Sequence, residues 1–328
     1  MRKLVFLAHD PGGYDVIRPV YDRFSVCCDA ELFLSGAAGR KFPEYGKTNK
    51  DILNTLQDYC NGQVPFMLVT GTSWNSEIEA EAISLCNSKE IPTVSILDYW
   101  SNYKERFRFG SEYVFPRHLF VMDKLAFDEA GENGVPMEIM QIVGQPGLDF
   151  YVHRRREVER SNTTDRNHKI LFLSQPISDL YGDSEGYTEF DTFEGVLEAG
   201  RVMGCEVYIK FHPKDSERMV ALYSKYRVDG SLEEICGGYR VVIGMTTMGL
   251  LQCSLLGVPV LSYQPNLVGM EKCIINKLGI AKGAYSYMEL IERLKTLDKA
   301  DGGVFPFWFD GKSTDRCVKK LIEIEEEY

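Results

Sequence analysis

The stretch CEVYIKFHPKD, residues 205–215, predicts the kind of fold that the chain adopts. Its apolar positions alternate as in a β-strand with a buried face, and the polar turn HPKD leads into a helical pattern, SERMVALYSKY. Similar units lie on both sides of it. KILFLSQ and TFEGVLEAGRVMG come before it, and RVVIGM, TMGLLQCSLLG and PVLSYQ come after it. This alternation of strands and helices predicts a parallel sheet covered on both faces.

The first half of the chain shows the same alternation. KLVFLA, PFMLVT, TVSIL and HLFVM predict strands, and helices are expected from about Asp15 and from Ser76, where Glu79 would complete a capping box. Residues 151–168 are polar and predict a linker. We therefore expect an α/β, GT-B-like architecture with two Rossmann-like parallel-sheet domains, 1–150 and 169–328, facing a cleft. A final amphipathic helix, capped by Ser313, would be free to cross back to the first domain.

Composition narrows the classes of partner and compartment. The chain has 328 residues and a net charge of −11, so a nucleic-acid partner is not expected. Its apolar runs fall short of the roughly 20 residues that span a bilayer. The basic, apolar N-terminus is too short for a signal peptide and predicts a first strand. Nine cysteines without metal-ligand spacing indicate reduced thiols, a cytoplasmic location and no metal site. Oligomerisation and peripheral membrane contact stay open.

Polar residues collect where the predicted strands of the first half end, which is where ligands bind in open parallel sheets. Asp10 lies before two glycines and is either a general base or a simple helix cap. The aromatic loop DYWSNYKERF, 98–107, either binds a sugar or base or is a surface loop held by its aromatic side chains. The acceptor-side candidates are His9, Gly12, Gly13, Thr72, Ser73, Trp74, Asp98, Trp100, Asn102, Tyr103 and Arg106.

The strand ends of the second half predict a phosphate site. His212 and Pro213 end one strand, and Thr246 and Thr247 begin the helix after the next strand. A helix N-terminus with two hydroxyl groups suits a phosphate, although ordinary helix capping by threonine is the alternative. His212 could likewise only cap a neighbouring loop. The donor-side candidates are Lys210, Pro213, Thr246, Thr247, Gly249, Gln175 and Gln264, with His212 and Asp10 as catalytic residues.

The His212-Pro213 pair and the Thr246-Thr247 pair resemble motifs of GT-B glycosyltransferases, especially the bacterial polysialyltransferase-like and Kdo-transferase-like capsule enzymes. The segment VGQPGLD, 143–149, is similar to the hinge entry of CDP-glycerol glycerophosphotransferases and UDP-sugar 2-epimerases. The resemblance implies a metal-independent glycosyltransferase of surface-polysaccharide biosynthesis. Its donor would be a nucleotide-activated sugar, with CMP-linked acidic sugars favoured, and its acceptor a glycan or glycolipid. No cofactor is implied.

Within this resemblance, His212 and the threonine pair would contact the donor phosphate, and Asp10 would deprotonate the acceptor hydroxyl. Three departures weaken the match. The acidic base motif of these enzymes is absent as such, and Asp10 before Gly12 only stands in for it. The pair is Thr-Thr where Ser-Ser is usual, and Gln252 and Cys253 stand where the epimerase pattern has ribose-binding glutamates. The alternatives are a nucleotide-sugar 2-epimerase or hydrolase, a CDP-polyol phosphotransferase, and a nucleotide-sugar-binding protein without turnover.

Overall fold

Two parallel sheets carry the fold. The first has the order β2-β1-β3-β4-β7-β8, and the second has the order β10-β9-β11-β12. The strands of the first half are β1 (Lys3–Ala8), β2 (Ala30–Leu34), β3 (Phe66–Thr70), β4 (Thr93–Ile96), the hairpin β5 (Arg108–Phe109) and β6 (Glu112–Tyr113), β7 (His118–Val121) and β8 (Met140–Ile142). Those of the second half are β9 (Lys169–Leu173), β10 (Glu206–Lys210), β11 (Val241–Gly244) and β12 (Val260–Ser262).

Helices connect the strands of both sheets. Those of the first half are α1 (Pro11–Ser25), α2 (Gly36–Lys41), α3 (Asn49–Asn61), α4 (Ile78–Asn87), α5 (Lys124–Glu132) and α6 (Pro146–Ser161). Those that follow are α7 (Ile177–Tyr181), α8 (Glu189–Met203), α9 (Glu217–Tyr223), α10 (Leu232–Ile235), α11 (Met248–Leu255), α12 (Ile274–Lys277), α13 (Tyr287–Thr296) and α14 (Ser313–Glu327).

The computed structural model describes residues 2–161, 167–297 and 308–328. The described chain forms two compact units. Unit 1 runs to Phe150 and also includes 308–328, whereas unit 2 begins at Tyr151. The α/β class with two Rossmann-like, GT-B-like domains is thereby confirmed.

Burial explains why these segments became strands. All five residues of β3 are buried, as are the last five of β1. Near-continuous apolar strands are typical of a parallel sheet with helices on both faces. In α1, Val16, Ile17 and Val20 are buried in this core. From α14, Cys317, Leu321 and Ile324 join the same core.

Several boundaries differ from the sequence prediction. Helix α1 starts at Pro11, not near Asp15, and the edge strands β2 and β8 were not predicted. The expected capping box at Ser76 is wrong, because α4 starts at Ile78 and Glu79 turns inward. Most of the predicted linker is helical, since α6 continues to Ser161. Residues 162–166 of that linker lie outside the described residues.

Candidate functional site

His9 and Asp10 form a side-chain pair where β1 ends in unit 1. The His9 Nδ1 lies 2.9 Å from Asp10 Oδ1, and both side chains are partly exposed. Asp10 precedes α1 as its N-cap residue, but its carboxylate makes no capping hydrogen bond. The Asp10 side chain therefore does not act as a simple helix cap, and its carboxylate interacts with the His9 imidazole instead.

Glycines allow the loops after β3 and β4 to lie against the start of α1, next to His9 and Asp10. A Cβ atom on Gly71 would lie 2.6 Å from the Cα of Gly13, so the start of α1 and the loop after β3 are in backbone contact. A Cβ atom on Gly12 would collide with the Asp98 carboxylate. The close approach at Gly12 and Gly13 brings the loops after β1, β3 and β4 together.

The Asp98 carboxylate is held in place at this edge by hydrogen bonds from two side chains. Its Oδ1 accepts hydrogen bonds from the Arg106 guanidinium and, at 3.0 Å, from the Thr72 hydroxyl. Arg106 is buried and also donates to the carbonyl oxygens of Ser101 and Thr72. Burial raises the pKa of Asp98, while the guanidinium opposes that rise. Asp98 thus combines a fixed position with reduced acidity.

Glu79 lies beneath this edge, and sequence reasoning missed its role. Its Oε1 accepts from the His9 backbone N–H at 3.1 Å and from the Ser73 hydroxyl at 2.9 Å. Its Oε2 is buried with no hydrogen-bond partner among the described residues. Burial, with smaller contributions from Asp10 and Asp98, raises the pKa of Glu79 to about 7. Its spacing from Ser76 predicted a capping box instead, which hid this role.

Hydrogen bonds from buried aromatic side chains hold the loop of residues 98–107. Trp100 is buried and donates its indole N–H to Asp123 at 2.9 Å, and buried Tyr103 donates to Glu129. Contrary to prediction, neither ring offers a face to a ligand. Asn102 is exposed with φ of 52°, and Trp74 is 55 % exposed in the loop after β3. Of the predicted aromatic contacts, only Trp74 is available for stacking on a sugar ring.

In unit 2, His212 sits in a turn directly after β10. Its backbone N–H donates to Asp215 Oδ2 at 2.8 Å, and its Nδ1 accepts from the Lys214 backbone N–H at 3.1 Å. Burial lowers the pKa of His212. The ring lies at the carboxyl edge of the second sheet, and Pro213 fixes the chain beside it.

Thr246 and Thr247, which follow β11, make different contacts. Thr247 is the N-cap residue of α11, and its Oγ1 accepts from the Gly249 N–H at 3.1 Å, which is ordinary capping. The Thr246 N–H donates to the Gln175 side-chain oxygen at 2.8 Å. Gln175 thus reaches from the loop after β9 to the start of α11, and a phosphate at this point would compete with that amide.

Two other donor-side candidates are engaged elsewhere. Lys210 donates to the Gly230 carbonyl at 2.5 Å on the surface. Gln264 is fully buried, and its amide nitrogen donates to Ser262 and to the Glu271 carboxylate. The prediction that Gln264 binds the donor is therefore wrong, because its buried side chain makes hydrogen bonds inside the unit.

Within residues 2–161, 167–297 and 308–328, no group of three His, Cys, Asp or Glu side chains is arranged to hold a metal ion. In the same described ranges, every helix is too short or too polar to cross a membrane.

No protein family and no curated protein sequence matches this chain. Solved structures do match it over its whole length. The UDP-GlcNAc 2-epimerase from Methanocaldococcus jannaschii has a TM-score of 0.71 at 13% identity, with 98% of this chain and 100% of that chain covered.

Two further solved structures are similar in fold. The UDP-GlcNAc 2-epimerase from Neisseria meningitidis, bound to UDP-GlcNAc, has a TM-score of 0.63 at 12% identity, covering 98% of this chain and 100% of that chain. HepE from Anabaena, in complex with UDP and glucose, has a TM-score of 0.57 at 11% identity, with both chains covered completely. At these identities the similarity establishes the two-domain fold.

Proposed function

We propose that the chain is an enzyme that converts a UDP-activated sugar by proton transfer at the sugar, as an epimerase or a hydrolase, without a glycan acceptor. This replaces the glycosyltransferase and the CMP-linked donor as the preferred interpretation. UDP is proposed because similar structures hold UDP-GlcNAc or UDP together with glucose.

The carboxyl groups at the edge of unit 1 carry this proposal. Burial raises the pKa of both Asp98 and Glu79, and the neighbouring carboxylate of Asp10 adds to both rises. Moving a proton onto and off a carbon or oxygen atom needs one group that accepts and one that donates. Carboxyl groups held in different environments supply such a pair near neutral pH.

Roles follow from exposure. Asp10 and Asp98, whose side chains are 26% and 14% exposed, would contact the sugar. Glu79, which is 2% exposed, would hold the His9 main chain in place from behind. In unit 2, the imidazole N–H of His212 and the N-terminus of α11 beside Thr246 are each suited to an anionic oxygen, and they are the proposed phosphate contacts.

The test is solvent exchange without an acceptor. The protein is incubated with UDP-GlcNAc in deuterated water, and proton NMR follows deuterium incorporation into the sugar, epimer formation and UDP release. We expect one of these reactions in the wild type. Asp98→Asn should lower its rate at least about 100-fold, in the range of losing a general acid or base, while UDP binding measured by calorimetry persists.

Asp58→Asn is the matched control, since Asp58 is an exposed carboxylate on α3 of the same unit. It should leave the rate unchanged. Turnover that appears only when a glycan acceptor is added would favour the glycosyltransferase instead. A wild type that binds UDP and never turns over any UDP-sugar would support the non-catalytic binding protein.

A further inference from the structure

We propose that Asp215 positions His212: it holds the His-Pro turn so that the Lys214 N–H donates to Nδ1 and the ring presents its Nε2–H to a phosphate oxygen. The inference rests on the proposed function, because it needs a nucleotide phosphate beside His212.

The turn is closed by two reciprocal hydrogen bonds. The His212 N–H donates to Asp215 Oδ2 at 2.8 Å, and the Asp215 N–H donates to the His212 carbonyl at 3.0 Å. Pro213 restricts the first central residue of this four-residue turn to φ near −65°. The backbone of Lys214 is thereby placed by groups on either side of it.

This placement decides which ring nitrogen carries the proton. The Lys214 N–H lies 3.1 Å from His212 Nδ1, so Nδ1 is the acceptor. In a neutral imidazole only one nitrogen accepts, and the other then carries the hydrogen. Burial favours the neutral ring. Nε2 is therefore a fixed hydrogen-bond donor.

A turn alone does not require a carboxylate at position 215. Asn or Ser would supply one acceptor for the His212 N–H without burying a charge. Asp215 Oδ1 is instead buried with no hydrogen-bond partner among the described residues, close to Ser174. Burial raises the pKa of Asp215, and its negative charge opposes the effect of burial on His212. The Oδ2 acceptor therefore positions the turn, whereas the charge acts on the His212 pKa, so Asp215→Asn should keep the tautomer and lose only the effect of the charge.

The tautomer is measured directly by nitrogen NMR on protein with 15N-labelled histidine. His212→Ala assigns the signal among the five histidines. We expect the wild-type ring to carry its proton on Nε2. Asp215→Asn, which keeps an acceptor oxygen, should retain this pattern, and Asp215→Ala should show both tautomers. Asp229→Asn, an exposed carboxylate of the same unit, is the control and should match the wild type.

UDP titration by calorimetry gives the functional readout. Asp215→Ala should weaken UDP binding about tenfold, and Asp215→Asn should stay within about threefold of the wild type. A wild-type ring protonated on Nδ1 would overturn the inference even if Asp215→Ala does not fold. So would Asp215→Ala with wild-type tautomer and affinity. A wild type that shows the Nε2 tautomer and does not bind UDP would contradict the proposed function and its phosphate contact, leaving only the turn geometry.

Discussion

Two carboxyl groups at the edge of unit 1 differ in what compensates their burial. Asp98 has the Arg106 guanidinium against it. Among the described residues, Glu79 has only the His9 N–H and the Ser73 hydroxyl as donors, and both bind the same oxygen. A buried carboxylate without a cation is costly, and burial therefore raises the pKa of Glu79 to about 7.

Glu79 should make the stability of the protein depend on pH. Its pKa is about 7 in the folded chain and about 4.5 when unfolded. The folded state therefore binds the proton more tightly, and stability falls as the pH rises from about 4.5 to 7. Glu79→Gln should remove this loss, which amounts to about 3 kcal/mol. Urea unfolding of both proteins at pH 5 and pH 8 measures it.

Groups that do not interact with Glu79 titrate alike in the two proteins, so their difference reports Glu79 together with its interaction with Asp10 and Asp98. Equal pH dependence of wild type and Glu79→Gln would contradict the assigned pKa. The mutation of Ser84, a half-buried residue on the same helix, to Ala is a control that should preserve the wild-type pH dependence.

The sequence could point to Asp10 and His212, because both follow strand patterns directly. It could not reveal the roles of Glu79 and Asp215. Ser76 and Glu79 have the spacing of a capping box, but the helix starts two residues after Ser76, and the contacts with His9 and Ser73 redirect the side chain. Contacts between loops of different strands have no local pattern, so residues defined by them are visible only in the fold.

At the scale of elements, the N-terminus of α14 is capped from a distant segment. The Asp149 carboxylate accepts from the Ser313 N–H at 3.1 Å and from the Thr314 N–H at 2.7 Å. The N-cap position is occupied by Lys312, whose side chain makes no capping hydrogen bond, and Ser313 is already the first helical residue. The prediction that Ser313 caps this helix is therefore wrong. Asp149 ends the VGQPGLD segment, which gives that motif a structural role here.

Asp149→Ala should destabilise unit 1 by about 1–3 kcal/mol, since two buried N–H groups lose their acceptor. The free energy of unfolding in urea measures the loss. Asp315→Ala is the matched control, because Asp315 makes only an exposed ion pair with Arg23 and should change stability by less than about 1 kcal/mol. Equal effects of the two substitutions would refute the capping role.

Element prediction succeeded where burial left an apolar pattern and failed where it did not. β1, β3 and β9 are almost wholly buried and were predicted. The second part of α6 is polar, and exposed ion pairs such as Arg155–Glu159 line it. Such a helix is supported by side-chain pairs along its own surface rather than by an apolar stripe, so it resembles a linker in sequence.

At the scale of the whole molecule, unit 1 is built from two separate parts of the chain. The two-domain α/β fold itself followed from the repeated strand-helix pattern. The return of α14 to unit 1 could be suggested by its amphipathic character, but its docking site is set by tertiary contacts with Asp149 and with the core around β1.

Cysteine labelling can test this arrangement. Cys86 and Cys317 are buried in unit 1, and Cys236 and Cys273 are buried in unit 2. In pulse labelling with an alkylating reagent at increasing urea, read by mass spectrometry, Cys317 should lose protection together with Cys86. Exposed Cys27 should react without urea and serves as the internal standard.

Labelling of Cys317 at lower urea than Cys86 would mean that α14 detaches by itself. Labelling together with Cys273 instead would place α14 in the cooperative unit of the second sheet. Either result would contradict its membership of the unit 1 core.

The divided make-up of unit 1 has a consequence for how the protein is made. The ribosome releases β1 and α1 before the strands of unit 2, yet Leu321 and Ile324, which cover part of the core around β1, emerge after those strands. Domains usually complete their folding in the order of synthesis. Here the nascent first unit has to wait for the C-terminal helix, while the second unit has all its strands available earlier. Synthesis of unit 1 therefore starts before that of unit 2 and is completed after it.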